Sequence, residues 1–189
     1  WEQAIALLSA MLREKRRPDT ITYNALMSAC GNGLNWEHTL ILLRGMGGAD
    51  LLPDQISYNA AITACEKCTQ WEQALALFHE MQDRNLMPTA ITYNAALSAC
   101  DKGMQWEHAT SLLSEMQQRG LPPDVISYSA AVSVFAKCRR WQPAVRLLLE
   151  MQRRGVDPDV TVYDLVIRAC QAGDERDLAA KLLYAVERR

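Results

Sequence analysis

Directly after a tyrosine the chain carries an amide three times, at Asn24, Asn59 and Asn94, and places Ser129 and Asp164 at the equivalent position twice more. Directly after a proline it carries Asp19, Asp54, Thr89, Asp124 and Asp159. An asparagine amide offers donors and acceptors together, so it can pair with the hydrogen-bonding edge of a nucleobase. An aspartate only accepts, which suits it to orienting that amide, directly or through water. The plainer alternative is structural, since asparagine begins helices well and Pro-Asp makes good turns. It leaves unexplained why these two positions vary in type while their neighbours stay fixed.

Two further series accompany them. Ile21, Ile56, Ile91 and Ile126 each stand three residues before one of the polar positions. They read either as hydrophobic staples just outside a helix start or as the walls of slots into which a flat ring can slide. Lys67, Lys102 and Lys137 recur in register, with Asn32 and Ala172 at the ends of the series. A solvated turn lysine is ordinary, but three at a fixed interval make a cationic ladder able to follow a phosphate backbone whatever the net charge.

Metal and catalytic chemistry are weakly represented. Cys30, Cys65, Cys100 and Cys170 share one repeat position with Phe135, so they read as small buried helix residues. Cys68 and Cys138 share a turn position with Gly33, Gly103 and Gly173. Cys65 and Cys68 form a CxxC, but no second pair lies nearby and a zinc site needs about four ligands. We therefore expect no metal and no cofactor, and a reducing compartment. Among the histidines, His38 and His108 share a position with Gln3, Gln73 and Pro143. A catalytic site would not be copied so loosely, and no HxE accompanies a zinc-type CxxC. The expectation is a chain that is not an enzyme.

What positions these residues is a repeat of 35, visible in Tyr23, Tyr58, Tyr93, Tyr128 and Tyr163, in Trp1, Trp36, Trp71, Trp106 and Trp141, in Met11, Met46, Met81, Met116 and Met151, and in Pro18, Pro53, Pro88, Pro123 and Pro158. A fixed period in this range is the signature of a repeat architecture. The unit at 90–124 shows the design. Thr92 sits where an N-cap is wanted before a helical run from Tyr93 to Cys100, with Thr22, Ser57 and Ser127 in the same place in the sister units. Gly103 is expected to break that helix with a positive φ. A second helix starts near Trp106, with Glu107 in its first turn and Trp106, Ala109, Leu112, Leu113 and Met116 on one apolar stripe. Arg119, Gly120 and Pro123 end it.

Each unit is thus a helical hairpin that buries too little alone and must stack on its neighbours. The expected fold is all-α, a right-handed α-solenoid of helix-turn-helix repeats in one array over 1–189. It comprises a half unit at 1–19, full units at 20–54, 55–89, 90–124 and 125–159, and a partial, degenerate unit at 160–189. Stacking in parallel would place the asparagine and aspartate series, both expected to be exposed, as two rows on one edge. Gly45, Gly47 and Gly48 should fray the second helix of the first unit. Pro143 falls in a first helical turn, where it is tolerated. In the last unit Val162 replaces the hydroxyl and Arg176 the tryptophan, and Arg176, Lys181, Arg188 and Arg189 suit a solvated terminal helix.

The net charge of −2 argues weakly against a generally basic nucleic-acid binder. No run approaches the roughly 18 apolar residues of a membrane span, and no address sequence is visible. Opening on Trp1 in mid-unit, the chain is expected to be an excerpt of a longer array.

The period of 35 and the running signature TYNAALSAC…W-E-A…LL-EM-RG-PD resemble the pentatricopeptide repeats in their plain form, over essentially the whole chain. Tetratricopeptide repeats run at 34 with a different pattern. The resemblance implies single-stranded RNA bound one base per repeat and read by a few side chains. Carried over by position, Asn24 with Asp54, Asn59 with Thr89, Asn94 with Asp124 and Ser129 with Asp159 would read bases. Ile21, Ile56, Ile91 and Ile126 would sandwich the bases, and Lys67, Lys102 and Lys137 would meet phosphates. In that family Asn with Asp favours uracil, Ser with Asp guanine, and Asn with Thr cytosine or uracil, giving 5′-U-(C/U)-U-G-3′. Thr161, in place of isoleucine, would weaken the fourth slot. The resemblance further implies a monomeric, membrane-free protein serving organellar RNA processing, stability or translation in chloroplast or mitochondrion. The competing expectation is a protein-binding scaffold, since concave helical solenoids hold peptides.

Overall fold

The computed structural model describes residues 1–187, so Arg188 and Arg189 of the expected terminal helix lie outside the described residues. Among them the chain is all helix and turn. Its elements are α1 (Glu2–Arg13), α2 (Thr20–Asn32), α3 (Trp36–Gly48), α4 (Gln55–Lys67), α5 (Trp71–Asp83), α6 (Ala90–Lys102), α7 (Trp106–Gln118), α8 (Val125–Lys137), α9 (Trp141–Arg153), α10 (Val160–Ala172) and α11 (Arg176–Glu187). No helix among the described residues is long and apolar enough to cross a membrane.

The first helix of each unit starts earlier than its hydroxyl suggests, because the residue after the proline is the cap. Asp54 accepts from the Ser57 backbone N–H at 2.9 Å, Asp124 from Ser127 at 2.8 Å and Asp159 from Val162 at 2.9 Å. Asp19 caps α2 the same way through Thr22, at 2.8 Å. Thr22, Ser57 and Ser127 are therefore the third residues of their helices and not N-caps. Ser57 and Ser127 close a reciprocal capping box by accepting from the backbone of Asp54 and Asp124. A carboxylate wins the capping position because it adds a favourable charge at the positive end of the helix dipole. The isoleucine series falls inside the helix as its second residue, 60–77% exposed from Ile21 to Ile126, so it staples nothing.

Each hairpin turn closes with a Schellman bond, such as Asn35 N–H to Cys30 O and Gln70 N–H to Cys65 O, both at 2.9 Å. The left-handed residue this requires is not Gly103 but its successor. The first turns carry Leu34, Thr69, Met104, Arg139 and Asp174 at φ from 54 to 65°, and the second turns carry Asp50, Asn85, Gly120 and Gly155. The glycines before them serve space instead. Gly33 has φ −81°, but a Cβ there would fall 2.4 Å from Trp1 Cδ1, and one at Gly173 2.2 Å from Trp141 Cδ1. The triple glycine of α3 does not fray it, since the helix runs to Gly48.

The helices form two compact units, Trp1–Ala99 and Cys100–Arg189. In the first, α2 packs on α3 and α4, and α4 on α5; in the second, α8 packs on α9 and α10, and α10 on α11. Within each compact unit first helices therefore lie side by side, α2 beside α4 and α8 beside α10, which sets equivalent repeat positions next to each other. The core is the expected stripe: Tyr58, Tyr93 and Tyr128 are fully buried, as are Met46, Met81, Met116 and Met151 and the cysteines 65, 100 and 170. The tryptophans, placed on that stripe by sequence, end only half covered, with Trp1 exposed. The phenol of Tyr58 donates to Glu80 Oε1 at 2.8 Å, and Glu80 also binds Arg44 Nη2 at 2.6 Å and Arg84 at 3.2 Å. Burial, with the Glu80 contact added, pushes the Tyr58 hydroxyl up to about 12. Tyr128 repeats the contact with Glu150 at 3.3 Å.

Thr69 is a β-branched residue held at φ 59°. Replacing it by glycine removes the steric penalty and is expected to raise stability by about 1 kcal/mol. Urea denaturation of Thr69→Gly against the unchanged chain checks this, and a lower midpoint would refute it.

Candidate nucleic-acid interface

The asparagine positions are less exposed than the sequence suggests. Asn24 is only 9% exposed, Asn59, Asn94 and Ser129 are half-buried, and Asp164 alone is open to solvent. What covers Asn24 is the start of the next first helix. Its Nδ2 donates to Asp54 Oδ1 at 3.2 Å, and its Oδ1 accepts from the Ser57 hydroxyl at 2.6 Å. Asn24 and Asp54, 30 residues apart in sequence, thus meet directly. Both bonds use only half of the amide, leaving one N–H and one lone pair.

At the second position the linkage runs through a hydroxyl. Asn59 Oδ1 accepts from Thr92 Oγ1 at 2.7 Å, and Thr92 Oγ1 lies 3.2 Å from Thr89 Oγ1 and accepts from the Thr89 backbone N–H at 3.0 Å. One proton assignment satisfies all three contacts: Thr89 donates to Thr92, which donates to Asn59. Asn94 stands half-buried on α6. Asp124 is occupied with capping α8. No hydrogen bond joins Ser129 to Asp159 among the described residues; Asp159 caps Val162, which has no hydroxyl to relay. The bridging residues Ser57 and Thr92, assigned to capping alone by sequence, also donate to the candidate asparagines. Their signal was available in the hydroxyl that precedes the tyrosine of each full unit and is lost at Val162.

Asp54 sets the charge at this edge. Burial raises its carboxyl, but the Ser57 N–H and hydroxyl and the Asn24 amide outweigh that and hold it below the usual carboxylate range. Asp19 is held low in the same direction by the Thr22 hydroxyl and N–H.

Between α2 and α4 lies a groove of about 230 Å³ lined by Ser28, Asn32, Ile56, Asn59, Thr63 and Lys67. It brings one isoleucine, one asparagine and one lysine of the three series into a single slot. A Cβ on Gly31 would come 3.0 Å from that of Ala64, so glycine sets how closely the two helices approach at its floor. The lysines are exposed but not idle. Lys67 Nζ donates to Asn32 Oδ1 at 2.7 Å, a neutral partner that leaves its charge in place. Lys137 Nζ pairs with Asp101 Oδ2 at 2.7 Å, which largely cancels it. Asp101 Oδ1 is buried without a hydrogen bond among the described residues. Lys102 is exposed at the end of α6. No group of three or more His, Cys, Asp or Glu able to hold a metal occurs among the described residues. Burial pushes the Cys65 and Cys100 thiols up to about 12, so neither is a nucleophile at neutral pH.

The arrangement defines an all-α repeat solenoid whose first helices carry a buried or half-buried amide at Asn24, Asn59 and Asn94. Family models place it further. The PPR repeat family model matches residues 53–102 and 91–137, the PPR repeat model 21–50 and 126–156, and the pentatricopeptide repeat domain model 2–33. The chain belongs to the pentatricopeptide repeat family. Among solved structures it is similar to the pentatricopeptide repeat protein PPR10 from maize, with 28% identity and a TM-score of 0.77 over 99% of this chain and 27% of that one. PPR10 in complex with an 18-nt psaJ RNA element matches with 26% identity and a TM-score of 0.67, over 99% of this chain and 26% of that one. The PPR domain of Arabidopsis thaliana protein-only RNase P 1, in complex with tRNA, shares the fold at 16% identity and a TM-score of 0.73, over 93% and 87% of the two chains. The chain spans about a quarter of the length of PPR10. No curated protein matches it.

Removing the Ser57 hydroxyl orphans the Asn24 carbonyl and weakens the Asp54 cap. Ser57→Ala is expected to cost about 1–2 kcal/mol in urea denaturation. Because the folded pKa of Asp54 lies below its unfolded value, its contribution is full above about pH 4 and is lost as pH falls through the folded pKa. Ser57→Ala should therefore flatten the loss of stability on acidification below about pH 4, and an unchanged slope would count against the cap network.

Proposed function

We propose that this chain is a non-enzymatic module that binds single-stranded RNA at one base per repeat. The observation that carries the reading is the slot between α2 and α4, where Ile56, Asn59 and Lys67 converge. An exposed aliphatic face supports a base plane, a fixed amide meets its edge and an ammonium meets the adjoining phosphate. The spare N–H and lone pair of Asn24 match the imide edge of uracil, which offers one carbonyl and one N–H. Family membership and the RNA held by PPR10 support the same reading. The base order implied is 5′-U-(C/U)-U-G-3′, with Asn24, Asn59, Asn94 and Ser129 as readers, paired with Asp54, Thr89, Asp124 and Asp159. In its full-length context we assign the module to organellar RNA processing, stability or translation.

A protein-binding scaffold is the second reading, favoured by the net charge of −2 and by the cancellation of Lys137 by Asp101. Salt separates the two. If three lysines meet phosphates, log K for a short uracil-rich RNA should fall against log salt with a slope of about −2. Absence of binding at low salt would leave the scaffold standing. The base assignment is tested by Asn94→Thr, which should move the preference at the third base from uracil to guanine. Fluorescence anisotropy against a panel of RNAs varied at that base reads the outcome, and an unchanged preference removes the code.

A further inference from the structure

The buried tyrosine contact that recurs along the array is missing its acid in the first full unit. The positions of Glu80 and Glu150 are held there by Gly45, that of Arg84 by Ala49 and that of Arg44 by Ser9. Tyr23 is buried to 7% exposure like its sisters, yet its hydroxyl has no hydrogen bond among the described residues, whereas Tyr58 donates to Glu80 at 2.8 Å. The space follows the chemistry. Beside Tyr58 the equivalent cavity is about 100 Å³, lined by Arg44, Leu52, Pro53 and Arg84. Beside Tyr23 it opens to about 520 Å³, and a Cβ on Gly45 or Gly48 would meet nothing within 4 Å.

The surrounding charge has changed in the opposite sense. Arg16 and Arg17 stand where the next linker has Leu51 and Leu52, and Lys15 where it has Asp50. All three cations line the enlarged cavity, with Asp50 the one carboxylate on its wall. Arg16 also pairs with Glu14 at 3.0 Å, but both side chains are more than 60% exposed, so that pair is screened and readily exchanged. The unit has thus lost an internal carboxylate together with its arginines and gained three cations around an unused phenol.

We propose that this cavity binds a carboxylate supplied from outside the chain, seated where Glu80 and Glu150 sit in the later units, accepting from Tyr23 and paired with Arg16 and Arg17. Carboxylate is favoured over phosphate because Tyr58 and Tyr128 each place their hydroxyl on a carboxylate oxygen, while Tyr163 accepts from the neutral Gln152 amide, at 3.0 Å. A planar carboxylate also takes the two parallel bonds of a guanidinium. Its source is either an acidic side chain of a protein partner or a free dicarboxylate. The inference does not rest on RNA binding.

Calorimetric titration at low salt with a capped tetraglutamate peptide, and separately with glutarate, tests it. Saturable binding of either is expected, with the tighter ligand naming the source and a capped tetraglutamine peptide showing none. Gly45→Glu, which returns the missing side chain, should weaken binding at least tenfold and raise the thermal midpoint above that of Gly45→Ala, which should bind as before. Arg16→Gln with Arg17→Gln, on an exposed linker, should also weaken binding at least tenfold, and this arm keeps the proposal testable if Gly45→Glu folds poorly. Binding unchanged by either variant, equal binding of the glutamine peptide, no binding of either acid, or tighter binding of inorganic phosphate or a 5′-phosphorylated oligonucleotide would each overturn it.

Discussion

A phenol buried at the first turn of each first helix is the contact on which the rest of the molecule depends. Fully covered in Tyr58 and Tyr128, the ring supplies a large part of the apolar area that one hairpin lacks when alone. In those two residues the hydroxyl, which cannot be left dry without cost, is satisfied by a glutamate from the second helix of the same unit, whereas Tyr163 accepts from Gln152 of the preceding unit. The glutamate bond fixes α4 against α5 and α8 against α9. The residue immediately after the tyrosine then has no freedom to choose its face, because a helix advances 100° per residue. The asparagine row is a geometric by-product of the tyrosine row.

Electrostatics at the polar edge is local. A formal charge of −2 conceals carboxylates committed to helix caps, such as Asp54 and Asp124, or to glutamate–arginine pairs at the C-terminal ends of α5 and α9. Acids tied down in this way project little field toward a ligand. The lysines differ among themselves for the same reason. Lys67 rests on an amide and keeps its charge, while Lys137 faces a carboxylate. A ladder regular in sequence is uneven in charge.

Much of the architecture is legible in the sequence because it is carried by periodicity. The helix starts at Trp36, Trp71, Trp106 and Trp141, the methionine stripe and the buried cysteines all follow from counting. The misread features share one cause, which is that the deciding partner comes from elsewhere. Ser57 looks like a cap by local propensity, but the aspartate three residues earlier is the stronger competitor. Gly103 looks like the left-handed residue by type, yet the Schellman ladder puts Met104 there, and glycine serves an indole ring 32 residues upstream in the two cases of Gly33 and Gly173. Asn24 looks exposed because its covering groups, Asp54 and Ser57, belong to the following hairpin. The convergence of Ile56, Asn59 and Lys67 was readable as register, whereas the link through Thr92 joins side chains 33 residues apart that no local pattern pairs.

The bond from Asn24 across to Ser57 also redraws where one module stops and the next begins. Counted by helices, a hairpin ends at its aspartate, but counted by hydrogen bonds it ends three residues later, inside its neighbour. A duplication or graft cut at Asp54 would carry the amide away from the hydroxyl that aims it. One cut after Ser57 would move the pair intact, so inheritance of this contact follows a frame offset from that of the fold.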